Sequence, residues 1–210
     1  MNLGTSWTAA RRPTSTLALV PADGHRDATT SLNLAPGQAL LYAGQRGALW
    51  RIVSGALRIE RCGDGASALI QLALPGDCVG LEALLGQPYA VNVSALVAST
   101  VRIEPVGDDA ARLAVLGELL AQQQRQAQEM ARLRSGSAAE RVSCLVRKLG
   151  GGIVNPQARK TLPPLKEMAP IVDVAPETIC RELKRLLPAK SAPRRPRQAA
   201  GARKAALALV

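Results

Sequence analysis

The residues whose types and spacing best suit chemistry lie near the C-terminal end: Glu177, Thr178, Cys180, Arg181, Lys184 and Arg185. On a helix starting at Pro176 they share the face opposite Ile179, Leu183 and Leu186, which places them in solvent when those three are buried. Their chemistry matches duplex DNA. Arg181 can donate two N–H groups to guanine O6 and N7, while Glu177 can accept from a cytosine amine and also brace the arginine. Lys184 and Arg185 suit phosphates, which position a protein on a duplex without specifying sequence. The blander reading of the same residues is an exposed Glu–Arg pair on a surface helix.

A helix of that kind must be held by a second one. The segment beginning at Leu165 supplies it, with Met168, Ala169 and Val172 on an apolar face and Ala169 small enough for a close helix crossing. Asp173 falls at the turn, where a residue tolerant of left-handed backbone is wanted and glycine is preferred. Val174 plugs the corner, Ala175 takes the cap position, and Pro176 suits the first helical turn. The order matches a recognition helix, with base-reading groups first and phosphate-binding cations after. Charge agrees. Of the formal net +11, residues 181–210 carry Arg181, Lys184, Arg185, Lys190, Arg194, Arg195, Arg197, Arg203 and Lys204 against Glu182 alone. Such a field attracts polyanions.

Upstream elements follow from periodicity. Leu113, Leu116, Leu120, Gln123, Ala127, Met130 and Arg134 recur at spacings of three and four, a narrow stripe that fits a two-helix dimer seam. An ordinary amphipathic helix packed on a sheet is the alternative. Ser137 and Glu140 form a capping-box signature for a second helix running to about Leu149, before Gly150-Gly151-Gly152. Before Gly107, strand-length runs such as Leu49–Val53, Ala56–Glu60 and Ala68–Leu72 alternate with glycine turns, which predicts a small antiparallel sandwich or barrel.

Other function classes are excluded by what is missing. The chain of 210 residues has no Phe, so its core must come from Leu, Val, Ile and Ala. No apolar run approaches the roughly 20 residues of a membrane span, and the start lacks a secretory signal, so no membrane partner and a cytoplasmic location are expected. Cys62, Cys78, Cys144 and Cys180 form no paired motif, and His25 is the single histidine, so neither zinc nor disulfides are expected. No nucleophile–base pair, metal motif or phosphate loop points to an enzyme.

Several of these pieces together resemble the CRP/FNR family of bacterial regulators over roughly residues 30–187. Pro36-Gly37, Gly44, Leu49-Trp50-Arg51-Ile52-Val53-Ser54-Gly55 and Pro75-Gly76-Asp77-Cys78-Val79-Gly80 look like the glycine framework of its cyclic-nucleotide-binding-like jelly roll. Ala138-Ala139-Glu140-Arg141-Val142 resembles its A-x-E-R-hydrophobic signature, and Pro176 to Leu183 its E-T-x-S-R-x-L helix. The resemblance implies an α+β chain: an N-terminal β jelly roll, a long dimerisation helix and a C-terminal winged helix-turn-helix domain. It also implies a homodimer on a near-palindromic double-stranded DNA site, with RNA polymerase as a further partner. The corresponding divisions are a flexible arm (1–29), a jelly-roll effector domain (30–107), a dimerisation helix (108–134), a helix-turn-helix domain (135–187) and a basic tail (188–210).

Departures from the family pattern narrow the function. Cyclic-AMP-binding members carry a Gly-Glu-Leu turn and a later Arg-Ser or Arg-Thr, where this chain has Gly80-Leu81-Glu82 and Tyr89-Ala90. No Lys or Arg occurs from Cys62 to Val101, so a cyclic phosphate would lack a charge partner and cyclic AMP is not expected. Gly80, Leu81, Glu82 and Tyr89 remain the candidate effector pocket. Residues 1–61 hold no cysteine, which rules out an arm-ligated iron–sulfur cluster, and His25 alone is a poor basis for haem. Cys180 stands where the family has Ser or Gly; it is either a tolerated small side chain or a thiol acidified beside Arg181. The Pro/Arg-rich stretch after Leu187 implies an altered or missing wing. A homodimeric DNA-binding transcription regulator is therefore expected. The alternative is a small-ligand or redox sensor, or a scaffold, whose DNA-binding domain is degenerate.

Overall fold

The computed structural model describes residues 31–62, 67–152, 159 and 161–188. The arm expected at 1–29 and, apart from Pro188, the expected basic tail lie outside the described residues. Eight strands come first: β1 (Ser31–Leu34), β2 (Ala39–Leu41), β3 (Trp50–Ser54), β4 (Leu57–Cys62), β5 (Ser67–Ala73), β6 (Cys78–Val79), β7 (Asn92–Ala95) and β8 (Ser99–Ile103). Four helices follow: α1 (Asp109–Arg134), α2 (Ala138–Leu149), α3 (Leu165–Val172) and α4 (Pro176–Leu186). The chain is thus an N-terminal β domain with four C-terminal helices.

The strands form two antiparallel sheets, ordered β1-β8-β3-β6 and β2-β7-β4-β5. Alternation puts one face of each strand into a shared core of Leu34, Trp50, Ile52, Leu57, Ile59, Val93 and Val101. Aliphatic residues do most of the filling, as a chain without Phe requires. Gly55 makes the β3–β4 turn possible: its φ is 87°, and a Cβ there would meet the Ala98 carbonyl at 2.5 Å.

Helix α1 starts at Asp108, whose side chain accepts from the Ala111 N–H at 2.8 Å. Polar contacts seat it on the β domain. The Gln122 side-chain amide accepts from the Cys78 N–H and donates to the Cys78 carbonyl, both at 2.8 Å, as a neighbouring strand would. Buried Asp77 receives Arg125 at 2.7 Å, Gln126 at 3.1 Å and the Leu74 N–H at 2.9 Å. Arg51 bridges Glu104 on one side and Glu118 of α1 on the other; its hydrogen bonds to Glu104 hold the guanidinium pKa above its ordinary value.

The capping box at α2 forms as the residues predict. Ser137 Oγ accepts from the Glu140 N–H, and the Glu140 carboxylate accepts from the Ser137 N–H at 2.8 Å. The Ser137 N–H and hydroxyl, both donating to that carboxylate, lower the Glu140 pKa. A second core joins the helices to the sheet. Leu133, Val142, Leu145, Met168, Ile171, Ile179 and Leu183 pack with Leu72 and Leu96 of the β domain. Arg58 of β4 also forms an ion pair with Glu167 of α3, so sheet and helices share apolar and charged contacts.

Candidate functional site

Helices α3 and α4 pack through Met168, Ile171, Val172, Ile179 and Leu183, all buried. The turn between them begins at Asp173, with φ 51° and ψ 54°, the one non-glycine residue of positive φ among those described. An L-residue in this conformation costs roughly 1–2 kcal/mol. The turn is held from outside. Arg141 of α2 donates through Nη1 to the carbonyls of Val172 and Asp173, each at 3.0 Å. A cation there also complements the negative C-terminal end of α3. The arginine of the A-x-E-R segment therefore braces the turn two helices away.

On α4, Glu177, Arg181, Lys184 and Arg185 are exposed, while Thr178 and Cys180 are half-buried. Ile179 and Leu183 anchor the helix, with Leu186 half-buried beside them. The structure thus brings the six predicted residues onto one helix, graded from exposed to half-covered. One pairing differs from the sequence expectation. The carboxylate paired with Arg181 is that of Glu182, 3.6 Å from its Nε, rather than that of Glu177. Glu182 is itself buried and also receives Arg185 at 3.1 Å. Its i,i+3 spacing from Arg185 was the available sequence signal; one turn of helix carries it to the edge of the buried stripe.

The exposed side of α1 carries the predicted stripe. Leu113 and Leu120 are 71% and 70% exposed, and Leu116, Gln123 and Ala127 lie on the same side. Between Leu116, Leu119 and Leu120 and the 3-10 helix Leu81–Leu85 runs an apolar groove of about 310 Å³. Met130 departs from the stripe: it is half-buried in the chain's own second core, because the helix by that point leans on α2 and α3. Four leucines, Leu85 included, face solvent around this groove.

A second cavity of about 200 Å³ lies between the β4–β5 hairpin, residues 78–82 and α1. Ile59, Val79 and Val93 contribute apolar wall, and Gln71, Glu82 and Gln123 polar groups. Gly80, Leu81 and Glu82 line it. Tyr89 does not. Its ring is buried behind Gly80 and its hydroxyl donates to the Ala48 carbonyl at 2.7 Å; burial pushes its pKa up to about 12. The expectation of a cavity without a cation is also corrected, since Arg61 of β4 reaches its wall. Arg61 sits one residue before the cation-free stretch, and strand β4 carries it to the cavity wall. Burial likewise raises the Cys78 thiol to about 11, which keeps it protonated and a poor nucleophile.

Among the described residues no group of three or more His, Cys, Asp or Glu is placed to hold a metal ion, and no helix is long and apolar enough to cross a membrane. Residues 31–105 match the family model of the cyclic nucleotide-binding domain. No curated protein sequence matches the chain. A CRP-family transcriptional regulator from Thermus thermophilus superposes with a TM-score of 0.57 at 25% identity, over 74% of this chain and 83% of that one. A CRP/FNR-family regulator from the same organism gives 0.53 at 21%, over 75% and 85%. FixK2 from Bradyrhizobium japonicum gives 0.51 at 21%, over 75% and 83%. The chain therefore has a cyclic-nucleotide-binding-like β domain and an arrangement of sheet and helices that resembles several CRP/FNR regulators.

Proposed function

We propose that the chain is a homodimeric, sequence-specific DNA-binding transcription regulator of the CRP/FNR type. In this reading residues 30–107 are a jelly-roll effector domain, 108–134 the dimerisation helix and 135–187 a helix-turn-helix domain with α4 as recognition helix. The observation that carries it is the braced α3–α4 turn presenting Glu177, Arg181, Lys184 and Arg185 from one helix face. Such a face fits the major groove, with Arg181 at a guanine and Lys184 and Arg185 at phosphates. The leucine side of α1 joins two copies, as a near-palindromic site requires. RNA polymerase is the downstream partner in this reading.

In this reading the effector is not cyclic AMP. A volume of about 200 Å³ falls below the roughly 300–1,000 Å³ of pockets for drug-sized ligands, and Glu82 faces the same space as Arg61. Thermal melting with cyclic AMP is expected to show no shift; a saturable rise overturns that exclusion.

Selection from random duplexes at fixed salt tests the main reading. A near-palindromic consensus is expected, and Arg181→Ala should relax one base position per half-site, at a cost of roughly 1–3 kcal/mol. Binding without any selected sequence would sink it.

A further inference from the structure

Glu182 is a carboxylate buried to 6% exposure on a helix whose two neighbouring arginines, Arg181 and Arg185, are 63% and 69% exposed. It meets them differently. Arg181 turns its Nε towards Oε1 at 3.6 Å, and its two terminal nitrogens have no hydrogen-bond partner among the described residues. Arg185 instead commits a terminal nitrogen, Nη1, to both carboxylate oxygens at 3.1 and 3.4 Å. Among the described residues one guanidinium leaves its terminal nitrogens unengaged; the other has half of its fork occupied.

We infer that Glu182 is a positioning residue that gives the two arginines separate tasks on DNA. This rests on the DNA-binding reading above. Two parallel donors are what a guanine edge requires, and a guanidinium whose Nε faces the carboxylate keeps both terminal nitrogens directed away from it. Arg185, with Nη1 engaged, keeps a single outward edge suited to a phosphate oxygen. The carboxylate also removes one unit of positive charge from the face nearest the duplex. That weakens attraction to any DNA more than attraction to the right site, so specificity gains. An apolar residue would satisfy burial here with less desolvation, since an ion buried without partners is costly. The two arginines are the reason a carboxylate is tolerated.

The test uses the full-length protein, its selected site, that site with the Arg181-contacted base pair changed, and unrelated duplex, across a salt series. Glu182→Gln keeps shape and removes charge; Glu182→Leu fills the buried position without polarity. The single base change is expected to cost the parent roughly 5- to 150-fold. Both variants should lose at least about fivefold of that discrimination, and bind unrelated duplex more tightly. Their logarithmic salt slope should steepen by about one. A merely structural Glu182 would shift melting and leave discrimination and slope alone. Should the leucine variant fail to fold, the near-isosteric glutamine variant decides. Folded variants with the parent's discrimination and slope overturn this inference alone. A parent that selects no site overturns the DNA reading and this inference with it.

Discussion

Helices α1 and α4 turn opposite kinds of face towards their own chain. Helix α4 buries Ile179 and Leu183 and exposes Arg181 and Lys184, the usual arrangement for a helix in water. Helix α1 buries Gln122 and Gln126 beside Leu119 and Leu133, and leaves Leu113 and Leu120 in solvent. The difference lies in what each helix meets. Strand β6 offers α1 the backbone of Cys78 and the β5–β6 turn the carboxylate of Asp77, so amides are the complementary side chains there. Leucines of α1 and cations of α4 are thus the groups left in solvent. In the proposed reading the first face takes a second copy and the second takes DNA.

The largest effect should come from the face of α1 that its own fold does not use. Replacing Leu113 and Leu120 by Glu is expected to leave the folded monomer intact, because both are exposed. Sedimentation should then show monomer, with site affinity lower by roughly 10²–10⁴-fold as the two half-sites cease to act together. A dimer that persisted would break the comparison at its stronger arm.

The buried polar side should behave in the opposite way. Asp77→Ala leaves Gln126 Nε2 and the Leu74 N–H without their acceptor and is expected to cost about 2–3 kcal/mol in chemical denaturation, in monomer and dimer alike. A neutral result would mean that the amide face of α1 is incidental. Asp173→Gly tests the turn before α4. It should stabilise by about 1 kcal/mol, since glycine adopts positive φ without the Cβ penalty, and leave the DNA consensus unchanged.

The smallest effect concerns the start of α2. Glu140 has a folded pKa below its ordinary value because the Ser137 N–H and hydroxyl donate to it. Its contribution is therefore complete above the ordinary carboxylate range and is lost as pH falls through the lowered folded value. Ser137→Ala should flatten the acid limb of the stability profile, and an unchanged limb would show that the capping box contributes nothing measurable.

Much of this is legible in the residues. The α2 cap, the α3–α4 pair and the strands of the β domain follow from local chemistry: a capping box, a proline at a helix start, glycines between alternating runs. What stays hidden depends on contacts distant in sequence. Arg61 lies just outside the cation-free stretch that begins at Cys62, yet strand β4 brings it to the cavity wall. Tyr89 belongs to the pocket by its neighbourhood in sequence, and packing behind Gly80 withdraws it. Met130 fits the stripe by spacing, but the second core captures it where α1 passes α2 and α3.

The sequence by itself determined the helical segments and most of the strands, and that Glu177, Arg181, Lys184 and Arg185 share one exposed helix face. Those properties depend on periodicity and capping over a few residues, which any conformation of the chain carries. Only the tertiary structure decided which carboxylate holds Arg181, which face of α1 is buried, and which cation reaches the cavity. Each of these depends on distances of a few ångströms between groups that meet only after packing, and a helix rotated by one position would exchange the partners.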